Sequence, residues 1–566
     1  MNGNAKVWAQ KQKEREKSLR RLEKGKTEKS AGRSYKWIYL PILAIALLLP
    51  LIVCATYFYR QYAAEPALEV AGNIITVKAG GNFQDALNRA KAGDTIMLQA
   101  GATFTGNFNL PKKAGDEFIT IRTSAADAQL PPADARLDPK KYAAALPKIV
   151  TANSDSVISA VNGAHHFRFV GVEFSVAKPQ LDVWKLITIG DDEQTTAAQV
   201  PHHIVFDRCF VHAHPQQTGK VRSGLSINGS NIEILNSNIS DFRLPDDEGH
   251  AIVAWNAPGP FRIVNNYIEA SGINVLFGGA TAHKGMNPAD LEFRRNHVTK
   301  KLEWRGKQSV KNLFELKDMR RAVVEENVFE NNWASAQDGT AIVFTPASLQ
   351  SGEDARVEDV TFRSNILRRT ANAIGMTGTD YGDPKYPNLP VQNRSVKIEN
   401  NLFAEIGGSW GEQSAGRFLL LTSGAGPDDL TVNHNTIINS GNLLVLDGGP
   451  SKNFIFTNNI AFHNEYGVIS VGARDGGIGK NALQAYMGKY VFRKNVVIGA
   501  DSKRYPFENF YPSEVGSLKF VDFNAGNFQL SDSSGIKGKG TDGKDIGCDY
   551  AAIKTMESKV LTGINN

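Results

Sequence analysis

One six-residue pattern recurs along most of the chain and restricts its fold more than any other feature. It runs apolar residue, two variable residues, Asn, one variable residue, then usually a second apolar residue. It appears as Ile263-Val-Asn-Asn266-Tyr-Ile268, Phe293-Arg-Arg-Asn296-His-Val298 and Val324-Glu-Glu-Asn327-Val-Phe329, and continues through Asn365, Asn401, Asn435, Asn459 and Asn495. Successive Asn residues are 30, 31, 38, 36, 34, 24 and 36 positions apart. Helical repeats keep a constant length, whereas a fixed motif at variable spacing suits coils with insertions on one side. Two earlier segments, Phe206–Val211 and Ile234–Ile239, keep the apolar positions but carry Cys209 and Asn238 instead.

A second short apolar run follows each motif, as in Ile273–Phe277, Asn312–Leu316, Ala341–Phe344, Phe418–Leu421, Leu443–Leu446 and Val468–Val471. Most stop at Gly, Thr-Gly or Asp-Gly, as strands bounded by turns do. Short β-rich runs without intervening helices predict an all-β parallel solenoid. The Asn column then has a structural meaning. Asn tolerates left-handed backbone angles, its amide bonds turn backbone, and stacked coils align such amides into a ladder. At the N-terminal end, Asn82 opens a helical pattern with Phe83, Ala86, Leu87 and Ala90 on one face, a suitable cap for an exposed terminal coil. Gly93–Leu98 reads as the first strand.

The length of 566 residues agrees with a long repeat array, and 42% apolar with 22% charged residues excludes a disordered or collagen-like chain. The only cysteines, Cys54, Cys209 and Cys548, build no disulfide scaffold and no Cys-x-x-Cys knuckle. Cys209 takes an inward motif position and is expected as a buried free thiol.

The net charge of +6 is not spread over a binding face. Residues 1–36 hold 12 Lys/Arg and 4 Glu, so the remaining residues sum to −2, which argues against a nucleic-acid partner. Trp37–Tyr59 then carries no charge, is long enough to cross a bilayer, and has Trp37, Tyr39, Tyr57 and Tyr59 near its ends. The basic flank places the N-terminus in the cytoplasm. The expected order is a basic cytoplasmic tail (1–36), one transmembrane signal anchor (37–59), a linker (60–72), the β-helix (73–550) and a C-terminal tail (551–566). That is a single-pass bacterial inner-membrane protein with a periplasmic or extracellular solenoid. The competing reading is a signal peptide cleaved near Ala63-Ala64, although the apolar run exceeds the usual signal-peptide length.

Several segments resemble a known family. Val77–Gly106, with Gly93-Asp-Thr-Ile and Gly101-x-x-Phe-x-Gly106, is similar to the opening of right-handed parallel β-helix proteins of the pectin-lyase-like superfamily. Gly249–Pro260, Asn274–Gly279, Val310–Lys317 and Glu326–Trp333 resemble a membrane-anchored bacterial branch of it, and Asn527–Gly547 is similar to the family's closing segment. The likeness spans roughly residues 73–550 and implies the handedness of the solenoid. It implies no single chemistry, because that superfamily holds lyases, hydrolases, epimerases and non-catalytic adhesins. Its catalytic motifs do not match here residue by residue.

Aligning the second strands places Ile227, Trp255, Phe277, Leu316 and Phe344 in one inward column and Leu225, Val253, Val275, Phe314 and Ile342 in another. Outward positions then include Asn256, Asn274, Glu315 and Lys317, with Arg222, His250 and Lys311 just before the strands. Later coils are blander, with Val343, Gly375, Thr377 and Leu420 at these columns. A polysaccharide lyase needs a cation on the uronate carboxylate, a base for the adjacent proton and an acid for the leaving oxygen. Arg222 and Lys311 suit the first role, and His250 or Lys317 the second. Glu315 either positions the base or joins Asp246, Asp247 and Glu248 in a Ca²⁺ site. Lys311, Asn256 and Asn274 are expected to bind substrate, and Trp304 and Trp333 to stack on sugar rings. The alternatives are a surface ion pair between Glu315 and Lys317, and a non-catalytic carbohydrate-binding or adhesin-like β-helix. Asp246 and Asp247, adjacent in sequence, read as a surface loop rather than a hydrolase pair. His165-His166, His202-His203 and His212-Ala-His214 read as loop or strand-edge histidines rather than a zinc centre.

Overall fold

The computed structural model describes residues 72–347, 355–379, 391–412, 415–422, 425–471 and 477–564. The expected cytoplasmic tail, the membrane segment 37–59 and almost all of the linker lie outside these residues. The described chain winds as a right-handed parallel β-helix of three long sheets with 14, 13 and 12 strands, called here A, B and C. One coil illustrates the plan: Phe261–Val264 lies in A, Tyr267–Ala270 in B and Ile273–Phe277 in C. Each strand pairs in parallel with its counterpart in the next coil, as Phe261 does with Leu291, Tyr267 with His297 and Ile273 with Asn312.

The Asn ladder occupies the corner between A and B. Asn266, Asn296, Asn327, Asn365, Asn401, Asn435, Asn459 and Asn495 are fully buried. Each rung serves its neighbour in the same way. Asn365 donates its backbone N–H and its Nδ2 to Asn401 Oδ1, at 2.9 and 3.1 Å. Asn401 Nδ2 donates to Phe362 O at 3.0 Å and to Asn435 Oδ1 at 2.9 Å. Two rungs precede the Asn run, for Asn266 Oδ1 accepts the N–H of Ser237, and Ser237 Oγ accepts the N–H of Cys209. The rung is Ser237, not Asn238, which sits one place along. The ladder ends on Asn509, in a loop beyond the last coil, whose Oδ1 accepts the N–H of Asn495 at 2.9 Å.

The left-handed backbone assigned to the Asn residues belongs instead to the residue before each rung. Arg208, Asn236, Asn265, Arg295, Glu326, Ser364, Asn400, His434, Asn458 and Lys494 all have φ between 50 and 57°. Such a conformation is costly for Arg, Glu or Lys. The buried amide bonds of the following rung hold it there.

Cys209 is a buried free thiol. The interior is mostly apolar and stacked, as where Phe169 lies on Phe206 with ring centroids 5.3 Å apart. In sheet C the inward columns are Leu225, Ile252, Val275, Phe314 and Ile342, and Ala254, Phe277, Leu316 and Phe344. Val253 and Trp255 were placed inward by the sequence alignment, but the strand His250–Ala254 is set one residue earlier. Trp255 therefore leaves the core. Its Nε1 donates to Asp192 Oδ1 at 2.7 Å, and Lys185 Nζ lies 4.5 Å from its ring centroid.

Both ends differ from expectation in detail. Ile74–Val77 pairs with Thr95–Leu98 and so precedes the strand expected to be first. Helix Phe83–Arg89, capped by Asn82 Oδ1 on the Asp85 N–H, buries Phe83, Ala86 and Leu87. The C-terminal residues set apart as a tail form helix Tyr550–Thr562. Its Tyr550, Ile553, Met556 and Val560 pack on Val328, Ile366, Leu402 and Ala404 of sheet B. Burying such side chains contributes roughly 1.5–3 kcal/mol each, which holds the segment down.

Candidate functional site

Charged side chains gather where the loops leaving sheet B enter the strands of sheet C, and Glu315 and Lys317 add a further pair at the far end of the last of these strands. The strands concerned are Val183–Ile189, Val221–Ile227, His250–Ala254, Ile273–Phe277 and Asn312–Leu316, successive neighbours in that sheet. At about 4.8 Å per coil they span about 19 Å, enough for several sugar units. The loops brace one another, as where Ser309 N donates to Leu244 O at 3.0 Å.

At one end Trp184 is 62% exposed. The Arg222 guanidinium lies 4.3 Å from its ring centroid, and Arg222 Nη1 is 3.6 Å from Asp247 Oδ1. Next comes His250, almost fully buried, with Nε2 3.4 Å from Glu248 Oε2 and Nδ1 3.5 Å from Ser223 Oγ. Glu248 also pairs with Lys311. Hydrogen bonding to His250, together with Lys311, pulls the Glu248 carboxyl down to about 2, against the effect of burial. Burial lowers His250 despite its carboxylate neighbour. At the other end Lys317 Nζ is 3.5 Å from Glu315 Oε1. Burial raises Glu315, opposed first by Lys317 and then by Lys311. Arg222, Lys311 and Lys317 keep 26%, 22% and 31% of their side chains exposed, so cationic groups reach solvent along the whole row.

The structure thus brings together Arg222, Asp247, Glu248, His250, Lys311, Glu315 and Lys317. Other expected members fall elsewhere. Asn256 is fully buried, and its Nδ2 donates to Asp191 O at 3.1 Å and Gln194 O at 3.0 Å. Asn274 is also inside, with Nδ2 on Ile268 O and Thr299 O and Oδ1 accepting from buried Lys300 at 2.7 Å. Neither amide is free for substrate. Trp304 and Trp333 form a buried cluster with Val310 and are not sugar platforms. They sit in loops, but those loops fold over their own apolar side chains. Trp184 is the exposed indole beside a cation, and strand periodicity alone did not single it out.

The proposed Ca²⁺ ligands do not converge. Asp246 pairs with Lys220 at 3.4 Å, Asp247 faces Arg222, and Glu248 is taken by Lys311 and His250. A hard cation needs several oxygens directed at one point, and these carboxylates each face a separate base, so they do not fit it.

Two further polar groupings involve histidines that the sequence reading left as loop or strand-edge residues. On sheet B, His212 Nε2 and Lys148 Nζ approach buried Glu173 Oε1 at 3.2 and 3.1 Å, beside an open cavity of about 870 Å³. Burial opposes ionisation of Glu173, but His212 and Lys148 hold it below its ordinary value. On sheet A, His165-His166 and His202-His203 begin neighbouring strands and meet.

No family model matches the chain, and no curated protein matches it in sequence. Solved structures similar to it include a mannuronic acid specific polysaccharide family 6 lyase from human gut microbiota. That match has 12% identity and a TM-score of 0.49, over 78% of this chain and 92% of the other. An alginate lyase from Paenibacillus sp. matches with 14% identity and a TM-score of 0.34, over 63% and 95%. A pectate lyase matches with 15% identity and a TM-score of 0.33, over 84% and 96%. No residue role is carried over from them.

Proposed function

We propose that the sheet C corner binds an acidic polysaccharide and cleaves it by β-elimination, in a protein held in the bacterial inner membrane by residues 37–59 with its solenoid outside the cytoplasm. The observation that carries this reading is the row from Trp184 and Arg222 to Lys317, built on the rigid strands of one sheet. Trp184 offers a sugar-stacking face, and Arg222 beside it suits a uronate carboxylate. Neutralising that carboxylate acidifies the adjacent C–H. Lys317, three coils further on, serves a uronate bound at its own end of the row. As the free amine it takes the C–H proton, that electron pair forms the new C=C bond, and the C–O bond to the leaving sugar breaks. The leaving oxygen takes a proton from water. His250 is enclosed by Glu248 and Ser223, so it positions Glu248 and Lys311 rather than meeting substrate.

A second reading, a glycan-binding module without turnover, is favoured by one specific observation: each cation of the row already faces a carboxylate. The test is an ultraviolet assay for unsaturated uronate ends on a panel of uronate polymers, with and without Ca²⁺. The lyase reading expects signal on at least one polymer and a loss of about 10²–10⁴-fold in Lys317→Ala, the range for a lost general base. Lys317→Ala should keep the wild-type melting temperature. Retained binding with no product on any polymer establishes the second reading, and absence of both removes the groove.

A further inference from the structure

The histidines at the start of sheet A form a column unrelated to the sheet C corner. His165 and His202 are register partners in the strands His165–Val170 and His202–Asp207. Their followers His166 and His203 have φ of 58 and 53°, a left-handed conformation that breaks strand alternation in both coils alike without shifting their register. Two successive side chains therefore emerge together instead of on opposite faces. Within each coil the rings touch through Nδ1, with His165 to His166 and His202 to His203 both at 2.8 Å. Between coils they stack, His165 on His202 at 4.7 Å and His166 on His203 at 4.4 Å, with interplanar angles of 4° and 8°. The next coil places Ser230 in register with His202 and ends the column.

We propose that these four imidazoles form a binding site for a divalent transition-metal ion of the Cu²⁺, Ni²⁺ or Zn²⁺ class, held through their Nδ1 atoms. Among the described residues, ligand nitrogens of His165, His166 and His202 all lie within 4.8 Å of one another. A metal–nitrogen bond of about 2.0–2.1 Å sets neighbouring ligand nitrogens about 2.9 Å apart at a right angle and about 3.4 Å apart at the tetrahedral angle. The 2.8 Å pairs match the right-angle case. Drawing in both pairs needs the stacked rings of adjacent coils to tilt together. An all-imidazole set without thiolate selects these ions over Ca²⁺ or Mg²⁺. Each pair now shares one Nδ1–H. On binding, that proton moves to Nε2 of the same ring, so the rings stay neutral and no proton is lost. His202 and His203 are half-buried, which leaves the ion a route from solvent.

Full-length protein in detergent, freed of metal by chelator, is titrated with Cu²⁺, Ni²⁺ and Zn²⁺ separately against a chromophoric competitor. One equivalent of at least one ion should bind and raise the melting temperature. His166→Gln and His202→Gln should each weaken that binding at least tenfold while leaving the metal-free melting temperature near wild type. Equal binding by wild type and both variants overturns the site, since the chain's remaining histidines would then account for it. If either substitution unfolds the chain, the Cu²⁺-loaded wild type decides. Hyperfine lines from three or more imidazole nitrogens in its electron paramagnetic resonance spectrum support the site, since no other three histidines meet among the described residues, and fewer than three overturn it.

Discussion

The A–B corner and the outer face of sheet C are both columns of residues in register coil by coil, but they obey opposite rules. At the corner each Asn repeats the same hydrogen bonds to its neighbours, so the residue type is almost constant. On the outer face the register partners Ser226, Val253, Leu276, Glu315, Val343 and Gly375 share no chemistry. A buried amide must be satisfied in every coil, whereas an outward side chain answers only to what it meets. Constancy therefore marks structure in this molecule, and a local departure from blandness marks a candidate site.

That contrast breaks most visibly at a rung. Asn401→Ala should cost about 1–3 kcal/mol, because the Asn365 donors and Phe362 O lose their partner inside the core. Denaturant unfolding measures it, and glycan cleavage per folded molecule should not change. An unaltered midpoint would mean the ladder is dispensable.

A smaller effect, dependent on pH, is expected on the face. Glu248 is held at about 2, below its unfolded value near 4.3, so the unfolded chain binds its proton first as pH falls. Its contribution is present above about pH 4.3 and is lost as the pH drops toward 2. With partial solvent screening it is about 1–2 kcal/mol. Glu248→Gln should be less stable than wild type by that amount at pH 7, and the gap should close by about pH 2. A gap independent of pH would show that the pairing with His250 and Lys311 contributes nothing electrostatic.

The smallest change belongs to Thr377, two coils beyond Lys317. Its Oγ1 is buried without a partner, so Thr377→Ala should shift stability by less than about 0.5 kcal/mol and leave glycan binding alone. A marked loss of binding would extend the site past the bland coils.

The same contrast explains what was legible in the sequence. The solenoid, its strand order and most ladder positions follow from a spacing that repeats, and any error is exposed by the next coil. Even there an offset of one residue misplaced the rung at Ser237 and turned Trp255 inward, because a single coil carries little register information. The cluster around Glu248 was legible in kind, since charged residues clustered in only a few coils. Asn256, Asn274, Trp304 and Trp333 were misjudged because loop folding, not periodicity, decides what an irregular segment buries. Trp184 lacked any repeat against which its exposure stood out. The histidine pairs were separated by 37 residues of sequence and joined by one coil of structure.

The ladder also has a direction. Every rung lends its oxygen to the coil before it, so each coil leaves a backbone N–H and a side-chain N–H to be answered by whatever comes next. A stack of this kind is a one-dimensional polymer with a growing end. Asn509 arrives from outside the repeat and answers the last request, at Asn495. It acts as a chain stop, and the finite length of the solenoid is written in that one amide as much as in the number of repeats.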